Sequence, residues 1–288
     1  LMHADVAMYE AKRQGRNRAV AYRTEFEDAA SQRLRQVARL REALERREFG
    51  LAFQPVFDVA GAVVGVEALA RWHHPERGVL PPAEFIATCE DSGLILDLGR
   101  QVLEMAAVHH GRLREAGFGH LRVAINVSAA QFTTDFDADV AAAIEAHALP
   151  PSALEVEITE SVVMDNPEAA IAAMQRLARR GVCIALDDFG TGYSSLAYLK
   201  RLPIHRLKID RSFVRDLPAD ADDAAICKLV IGIAHTLQLT TVAEGVETAA
   251  QADWLRAHGC DELQGHHLAM PMPFDELLAM LRSATAMA

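Results

Sequence analysis

The 288-residue sequence lacks long apolar runs and any excess of positive charge. Its best apolar run, Leu229 to Ala234, is far shorter than the roughly 18 residues that a membrane span needs. No secretory signal pattern follows Leu1. We therefore expect a cytoplasmic fragment of a longer protein, with no membrane contact by this fragment. Whether the parent protein is membrane-tethered stays open.

Cysteine is also scarce, since the chain has four and no Cys-x-x-Cys pair. This spacing favours reduced, buried thiols over a disulfide framework or a zinc knuckle. The net charge of -11 argues against a nucleic-acid polymer as the main partner. An anionic substrate stays compatible with that charge if bound divalent cations supply positive charge locally.

What the sequence does contain is an alternation of short apolar runs and longer helical patterns after residue 49. Helical spacing predicts a first helix from Asp28 to Arg47. Further helices are predicted at Leu94–Glu115, Pro167–Arg180, Ala221–Leu239 and Thr248–His258, the last with Thr248 as N-cap. The predicted strands are Leu51–Pro55, Val63–Ala68, Arg122–Asn126, Leu154–Ile158, Cys183–Asp187, Arg206–Ile209, Thr241–Ala243 and Glu262–Gln264.

The order of these elements predicts an α/β fold. Only Phe57–Ala62 separates the first two strands, which is too short for a crossover helix, so these strands should pair antiparallel. The later strands alternate with helices, which favours a parallel sheet. Eight strands predict a modified TIM-type (β/α)8 barrel with one antiparallel strand. A doubly wound open sheet is the alternative.

Polar residues fall at the predicted carboxyl-terminal ends of these strands, where a barrel of this type builds its active site. A single acidic residue after a strand is usually a helix N-cap or a solvated loop residue. Several carboxylates at one mouth instead need cations or protons to offset their repulsion. The set at the strand ends comprises Glu67, Asn126, Glu157, Glu160, Asp187, Asp188, Lys208, Glu244 and Gln264.

The donor atoms of this set are mostly oxygens, which suit Mg²⁺ or Mn²⁺ better than zinc. Neighbouring histidines such as His73-His74 and His266-His267 diverge on a strand and are poorly placed on a helix, so we do not expect them to be ligands. The glycine-rich stretch from Phe189 to Ser195 lacks the lysine of a P-loop, and we interpret it as a shaped strand-to-helix loop.

Several separated motifs together resemble one family. They are GVEALARWHHPERGVLPPAEFI, which contains Glu67, then INVSAAQF, LEVEITES, IALDDFGTGYSSLAYLKRLPIHRLKIDRSFV, VAEGVET and LQGHHLAMPMP. Across residues 31–284 the chain resembles the EAL domain, which hydrolyses cyclic di-GMP. The motif HADVAMYEAKRQGRNRAVAY at residues 3–22 resembles the end of a GGDEF domain, whose signature loop is absent from this chain.

These resemblances imply a division into a GGDEF remnant at residues 1–26, a connecting helix at 27–48 and an EAL domain at 49–288. They imply that the parent chain carries a GGDEF domain. A homodimer is a further expectation from the family.

The resemblance also assigns roles within the site. One metal position corresponds to Glu67, Asn126, Glu157 and Asp187, and a second to Asp187, Asp188 and Glu244. Lys208 corresponds to the lysine that contacts the attacking water, and Glu160 to the glutamate that anchors the DDFGTGYSS loop. The positions that hold the dinucleotide are Gln54, Leu69, Arg71 and Gln264. Two departures, His266-His267 and Met270, lie in the region of the last strand and its loop.

The expected activity is hydrolysis of cyclic di-GMP to linear pGpG, with water activated between two Mg²⁺ or Mn²⁺ ions. In this hypothesis Lys208 assists the attacking water, and Arg71 binds the non-scissile phosphate. The main alternative is a receptor that binds cyclic di-GMP without cutting it. A third interpretation is a scaffold whose barrel mainly dimerises.

Overall fold

The computed structural model describes residues 24–132, 136–190 and 196–286, together with three single positions among the first 23 residues. Most of the predicted GGDEF remnant and residues 191–195 of the glycine-rich loop therefore lie outside the described residues.

The chain folds into a closed barrel of eight strands with helices around it. Strand β1 pairs antiparallel with β2 on one side and with β9 on the other, which closes the barrel. The remaining neighbours in the barrel are parallel, and the predicted barrel with one antiparallel strand is confirmed. The strands are β1 (Phe49–Asp58), β2 (Val63–His74), β3 (Gly78–Leu80), β4 (Arg122–Asn126), β5 (Leu154–Thr159), β6 (Cys183–Phe189), β7 (Arg206–Ile209), β8 (Thr240–Ala243) and β9 (Glu262–Leu263).

Helices cover the outside of the barrel. The first, α1, begins at Thr24 and ends at Glu45, where the apolar spacing predicted a helix. Short 3-10 turns at Pro82–Glu84 and Pro151–Ala153 precede α2 and β5. The other helices are α2 (Ile86–Ser92), α3 (Ile95–Glu115), α4 (Ala129–Phe132), α5 (Phe136–His147), α6 (Glu160–Asp165), α7 (Pro167–Arg179), α8 (Leu196–Leu199), α9 (Arg211–Val214), α10 (Ala221–Thr236), α11 (Ala249–Ala257) and α12 (Phe274–Ala286).

A tight turn explains why β1 and β2 are antiparallel. Gly61 has a φ of +88°, which glycine adopts readily and other residues rarely adopt. The amide of Ala62 donates a hydrogen bond of 2.8 Å to the Asp58 carboxylate. The chain thus reverses within four residues and leaves no room for a crossover helix.

Along the parallel strands, apolar side chains that pack in the core alternate with polar side chains that point into the barrel. In β5, Leu154, Val156 and Ile158 are fully buried members of the apolar core. Glu155 and Glu157, between them, make ion pairs with side chains of other barrel strands. Because successive strand residues point to opposite faces, one face packs under the helices and the other fills the barrel with polar groups.

Four charged residues at the starts of strands fill the lower end of the barrel. Glu155 Oε2 lies 2.6 Å from Arg206 Nη1 and 3.3 Å from Arg122 Nε. Glu262 pairs with the same two arginines. All four side chains are largely buried, so each charge is compensated by its neighbours. We call Arg122, Glu155, Arg206 and Glu262 the lower charge ring.

The four cysteines are free thiols, as the sequence predicted. Cys89, Cys227 and Cys260 are buried free thiols, whereas Cys183 is only half-buried and also unbridged. Among the described residues, no helix combines the length and the apolar character required for a membrane span.

Candidate active site

The upper end of the barrel collects the acidic and amide side chains that the sequence predicted. At its centre, Lys208 of β7 is 1% exposed. Its Nζ lies 2.7 Å from Glu157 Oε2, 2.5 Å from Glu244 Oε1 and 3.4 Å from Asp187 Oδ2. Three carboxylates from three different strand ends thus converge on one ammonium group.

Glu67 lies beside this group and is held by two amides. Asn126 Nδ2 donates to Glu67 Oε1 at 2.7 Å, and Gln264 Nε2 donates to Glu67 Oε2 at 2.7 Å. Gln264 Nε2 also lies 3.2 Å from Gln54 Oε1, and Gln54 donates to the Ala269 carbonyl at 3.1 Å. Side chains of β1, β2, β4 and the end of β9 are therefore connected through Glu67. We call Glu67, Asn126, Glu157, Asp187, Lys208 and Glu244 the carboxylate cluster.

One prediction about Glu67 is wrong. The sequence placed it at the end of β2, but the strand continues for seven further residues to His74. The extension arises because β2 pairs with β1 as far as Trp72 and with β3 from Trp72 to His74. Glu67 still reaches the cluster, since it points into the barrel at the level of Gln54.

Burial and mutual repulsion shift the pKa values of the acidic groups. Burial, then repulsion from Glu67 and Asp187, raises the pKa of Glu157 well above its usual range despite the attraction of Lys208. Similar causes raise the pKa of Glu244 to about 8. Burial also raises the pKa of Glu67, but Lys208 and the amide donors outweigh it, so that pKa lies below its usual value. One ammonium therefore compensates only part of the negative charge.

The neighbouring carboxylates stabilise the charged form of Lys208, whereas they destabilise the charged form of one another. Burial alone lowers the pKa of its ammonium, but the surrounding carboxylates more than offset this and raise the pKa well above its ordinary value. Lys208 is therefore a cation in this arrangement. Although Glu157 Oε2 lies within ion-pair distance of it, that buried oxygen accepts no hydrogen bond within the described part of the chain.

The end of β6 carries the two adjacent aspartates. Asp188 has a φ of +53°, an uncommon conformation for a non-glycine residue, and its amide donates to Asp187 Oδ1 at 2.9 Å. Burial and the neighbouring Asp187 raise the pKa of Asp188 to about 6. The buried Glu160 accepts a hydrogen bond from the Gly190 amide at 3.1 Å, at the start of the glycine-rich loop.

Two cavities open beside the cluster. The larger has a volume of about 630 Å³, is mainly apolar, and includes Leu69, Asn126 and Glu157 in its lining. The smaller has about 190 Å³ and includes Gln54, Glu67, Glu244 and Gln264. Three of the four predicted dinucleotide positions thus line a cavity. The fourth, Arg71, is half-buried next to Ala70 and donates to its carbonyl at 2.9 Å.

The smaller cavity is also lined by Arg211 and Glu247, which were not predicted from the sequence, and by His266, which was noted only as a departure from the family pattern. Gly245 has a φ of +66°, and a Cβ there would lie 2.5 Å from the Arg211 Cβ, so glycine allows this close approach. Arg211 comes two residues after β7 and Glu247 four residues after β8. The same strand-end rule that found Glu244 could have found both.

The donor set can be tested for its fit to divalent cations. Within the described ranges, no group of three or more His, Cys, Asp and Glu side chains is arranged to hold a metal ion directly. Three of the carboxylates contact the Lys208 ammonium instead. By chemistry the set nevertheless fits a hard cation, because it offers carboxylate and amide oxygens and more negative charge than the Lys208 ammonium offsets.

Residues 37–271 match the family described as EAL domain. The chain is 44% identical over 281 residues to the bifunctional diguanylate cyclase/cyclic di-GMP phosphodiesterase MucR of Pseudomonas aeruginosa. The matched region covers 97% of this chain and 41% of MucR. It is 39% identical over 277 residues to the cyclic di-GMP phosphodiesterase PdeR of Escherichia coli, covering 95% of this chain and 41% of PdeR. The chain therefore spans about two fifths of the length of these relatives.

A solved structure described as the PaMucR phosphodiesterase in complex with c-di-GMP is similar over 84% of this chain and 99% of its own, with a TM-score of 0.82 and 44% identity. The c-di-GMP-bound EAL domain of FimX from Pseudomonas aeruginosa is similar with a TM-score of 0.76 and 28% identity, covering 82% of this chain and 96% of its own.

Proposed function

Because the chain belongs to the EAL domain family, we propose that it is a phosphodiesterase that hydrolyses cyclic di-GMP to linear pGpG. The observation that carries the proposal is the convergence of Glu67, Glu157, Asp187 and Glu244 around Lys208 at the mouth of a closed barrel. Two cavities that could hold a ligand include cluster residues in their lining. The names of MucR and PdeR, which describe cyclic di-GMP phosphodiesterases, support the choice of substrate.

We propose that the activity depends on two divalent cations, Mg²⁺ or Mn²⁺. Glu67, Asn126, Glu157 and Asp187 would hold one, and Asp187, Asp188 and Glu244 the second. When bound, such cations supply Lewis-acid activation of water and charge neutralisation at the phosphate.

Lys208 holds its proton firmly, so its role is electrostatic. Its Nζ orients the attacking water and offsets negative charge that gathers beside the phosphate during the reaction. In the absence of a bound cation, burial and repulsion from Asp187 and Glu67 raise the pKa of Glu244 to about 8, and a cation held there would favour its carboxylate form. Lys208 is buried and Glu244 is largely so, which limits access of bulk water.

The substrate has two guanosine halves and two phosphodiester groups, and the cavities offer matching surfaces. Leu69 presents an apolar side chain to the larger cavity. Gln54 and Gln264 present amides at the smaller cavity. Arg71 follows two residues after Leu69 on β2, where its forked guanidinium binds the phosphate that is not cut.

The remaining assignments follow from the family. Glu160 anchors the DDFGTGYSS loop through the Gly190 amide. We assign residues 1–26 to the end of a GGDEF domain, 27–48 to a connecting helix and 49–288 to the EAL domain. We also propose a cytoplasmic homodimer whose parent chain carries the GGDEF domain.

A Glu67→Ala substitution tests the assignment. It removes a carboxylate from the cluster, so we expect hydrolysis of cyclic di-GMP to fall by about 100-fold or more, with Mg²⁺ or Mn²⁺ present. The linear product is measured by chromatography, with EDTA as the control for cation dependence. The exposed Glu76 provides a matched control, because Glu76→Ala leaves the cluster intact.

Near-normal turnover in Glu67→Ala would contradict the proposed site. Tight binding of cyclic di-GMP by the wild-type protein without hydrolysis would identify a receptor instead. Dimerisation without nucleotide binding or hydrolysis would identify a scaffold.

A further inference from the structure

Helix α1 packs against the outside of one wall of the larger cavity. This wall is the segment of residues 82–92, which comprises the first 3-10 turn and α2. Pro82, Ile86 and Glu90 of this segment line the cavity. The opposite wall includes Leu69 and Ala70 of β2. The width of the cavity therefore depends on where segment 82–92 lies relative to β2.

Two polar contacts connect α1 to the outer side of this segment. The Arg33 guanidinium makes an ion pair with the Asp91 carboxylate. Gln36 Nε2 donates a hydrogen bond of 3.2 Å to the Glu84 carbonyl. Asp91 follows the cavity-lining Glu90, so α1 contacts the same short helix that lines the cavity.

A second set of contacts fixes α1 to β2. Arg39 Nη2 lies 2.5 Å from Glu48 Oε2, which also accepts a hydrogen bond of 3.1 Å from Trp72 Nε1. The Trp72 ring contacts Phe85, with centroids 6.2 Å apart, and Phe85 lies within segment 82–92. Helix α1 therefore contacts segment 82–92 directly and is linked to β2 through Glu48, while Trp72 and Phe85 also join the two walls to each other.

We propose that Arg33 and Gln36 are positioning residues that keep segment 82–92 at the distance from β2 that cyclic di-GMP requires. The inference rests on the proposed function, because it takes the larger cavity as part of the substrate site. Neither residue contacts the carboxylate cluster, so their loss weakens substrate binding and leaves the chemical step intact. Because α1 begins at Thr24, within the last residues of the segment that we assign to the GGDEF domain, a displacement there reaches the cavity along α1.

The test is the double variant Arg33→Ala with Gln36→Ala. Exposed ion pairs contribute up to about 1 kcal/mol, so KM should rise about three- to fivefold while kcat stays within about twofold of wild type. The dissociation constant for cyclic di-GMP, measured by calorimetry in EDTA where turnover is suppressed, should rise by the same factor. Exchange of the ion pair, Arg33→Asp with Asp91→Arg, should restore much of the affinity that either single change removes.

The matched control is Arg112→Ala, which removes a 2.8 Å contact with Asp275 between two other helices and touches neither cavity wall. It should leave KM and the dissociation constant unchanged. Equal affinities for the double variant and this control would overturn the inference, as would a fall in kcat at constant KM. If wild-type protein does not hydrolyse cyclic di-GMP, the proposed function fails alone, because the binding comparison in EDTA still decides the role of Arg33 and Gln36.

Discussion

At the residue scale, Lys208 supplies the positive charge that allows several carboxylates to be buried together at the upper end of the barrel. Glu157, Asp187 and Glu244 lie within 3.4 Å of its ammonium, and the buried Glu67 also interacts with it electrostatically. Isolated buried charges are strongly disfavoured, and repulsion adds to that cost. The ammonium supplies the compensating charge from inside the fold, which is consistent with its strongly raised pKa.

Replacing Lys208 with methionine tests this role. The change keeps the length and removes the charge, so in EDTA we expect the free energy of unfolding to fall by about 3–5 kcal/mol. Urea denaturation followed by circular dichroism measures it. Lys200→Met, at an exposed position, should change stability by less than about 0.5 kcal/mol. Wild-type stability in Lys208→Met would show that the carboxylates need no internal cation.

A pH dependence is expected from His110 on α3. Burial, then the nearby Arg114, lowers the pKa of His110, although the carbonyls of Gly119 and Leu121 act in the opposite direction. A histidine whose folded pKa is depressed binds protons more readily when unfolded, so stability is lost as pH falls below the unfolded value near 6.5.

The measurement is the free energy of unfolding at pH 7.5 and at pH 5. We expect the loss between these values to be smaller in His110→Gln than in wild type. His120→Gln, at an exposed position, is the control and should keep the wild-type loss. A His110→Gln variant with an unchanged pH dependence would contradict the assignment.

At the element scale, the sequence predicted the eight barrel strands and the three longest helices, because their apolar spacing is regular. β4 and β7 match the prediction at both ends, and α3 matches at its carboxyl-terminal end. Thr248 was also predicted correctly as the N-cap of α11. These features depend on local spacing and capping, which a sequence displays directly.

Other elements escaped prediction for physical reasons. β3 has three residues, and it exists because it pairs with the extension of β2 past Glu67. Helix α5 is rich in alanine, so its sequence shows no clear apolar stripe. The contact between Asn126 and Glu67 joins residues 59 positions apart, which no local pattern encodes. Their meeting could be inferred only after the barrel itself had been predicted.

The cap of α11 gives a prediction at this scale. Gln251 N donates to Thr248 Oγ1 at 3.3 Å, and Thr248 N donates to Gln251 Oε1 at 2.8 Å, which forms a capping box. Thr248→Ala should therefore lower the free energy of unfolding by about 1 kcal/mol, measured by urea denaturation. Thr248→Ser keeps the hydroxyl and should stay near wild type. Equal losses in both variants would indicate that the threonine methyl group, not the cap, stabilises the helix.

At the scale of the whole molecule, inward-facing side chains form layers along the barrel. Glu155, Arg206 and Glu262 of the lower charge ring each lie two residues before a site residue, namely Glu157, Lys208 and Gln264. A two-residue step on a strand returns to the same face. The lower charge ring and the carboxylate cluster are therefore successive layers of one polar interior: the lower layer is formally neutral, whereas the upper one carries excess negative charge.

The two layers should be separable by mutation. Glu155→Gln leaves Arg122 and Arg206 with less compensating charge in a buried place, and we expect a loss of about 3–5 kcal/mol in the free energy of unfolding. Under conditions in which Glu155→Gln is folded, its kcat for cyclic di-GMP should stay within about twofold of wild type, because the carboxylate cluster is unaltered. Asp275→Asn, which weakens the exposed pair with Arg112, is the control and should cost less than about 1 kcal/mol. A stable Glu155→Gln protein with strongly reduced kcat would show that the lower charge ring influences the chemical step. The expected result, lower stability with unchanged kcat, would instead show that the lower charge ring stabilises the closed barrel beneath the site.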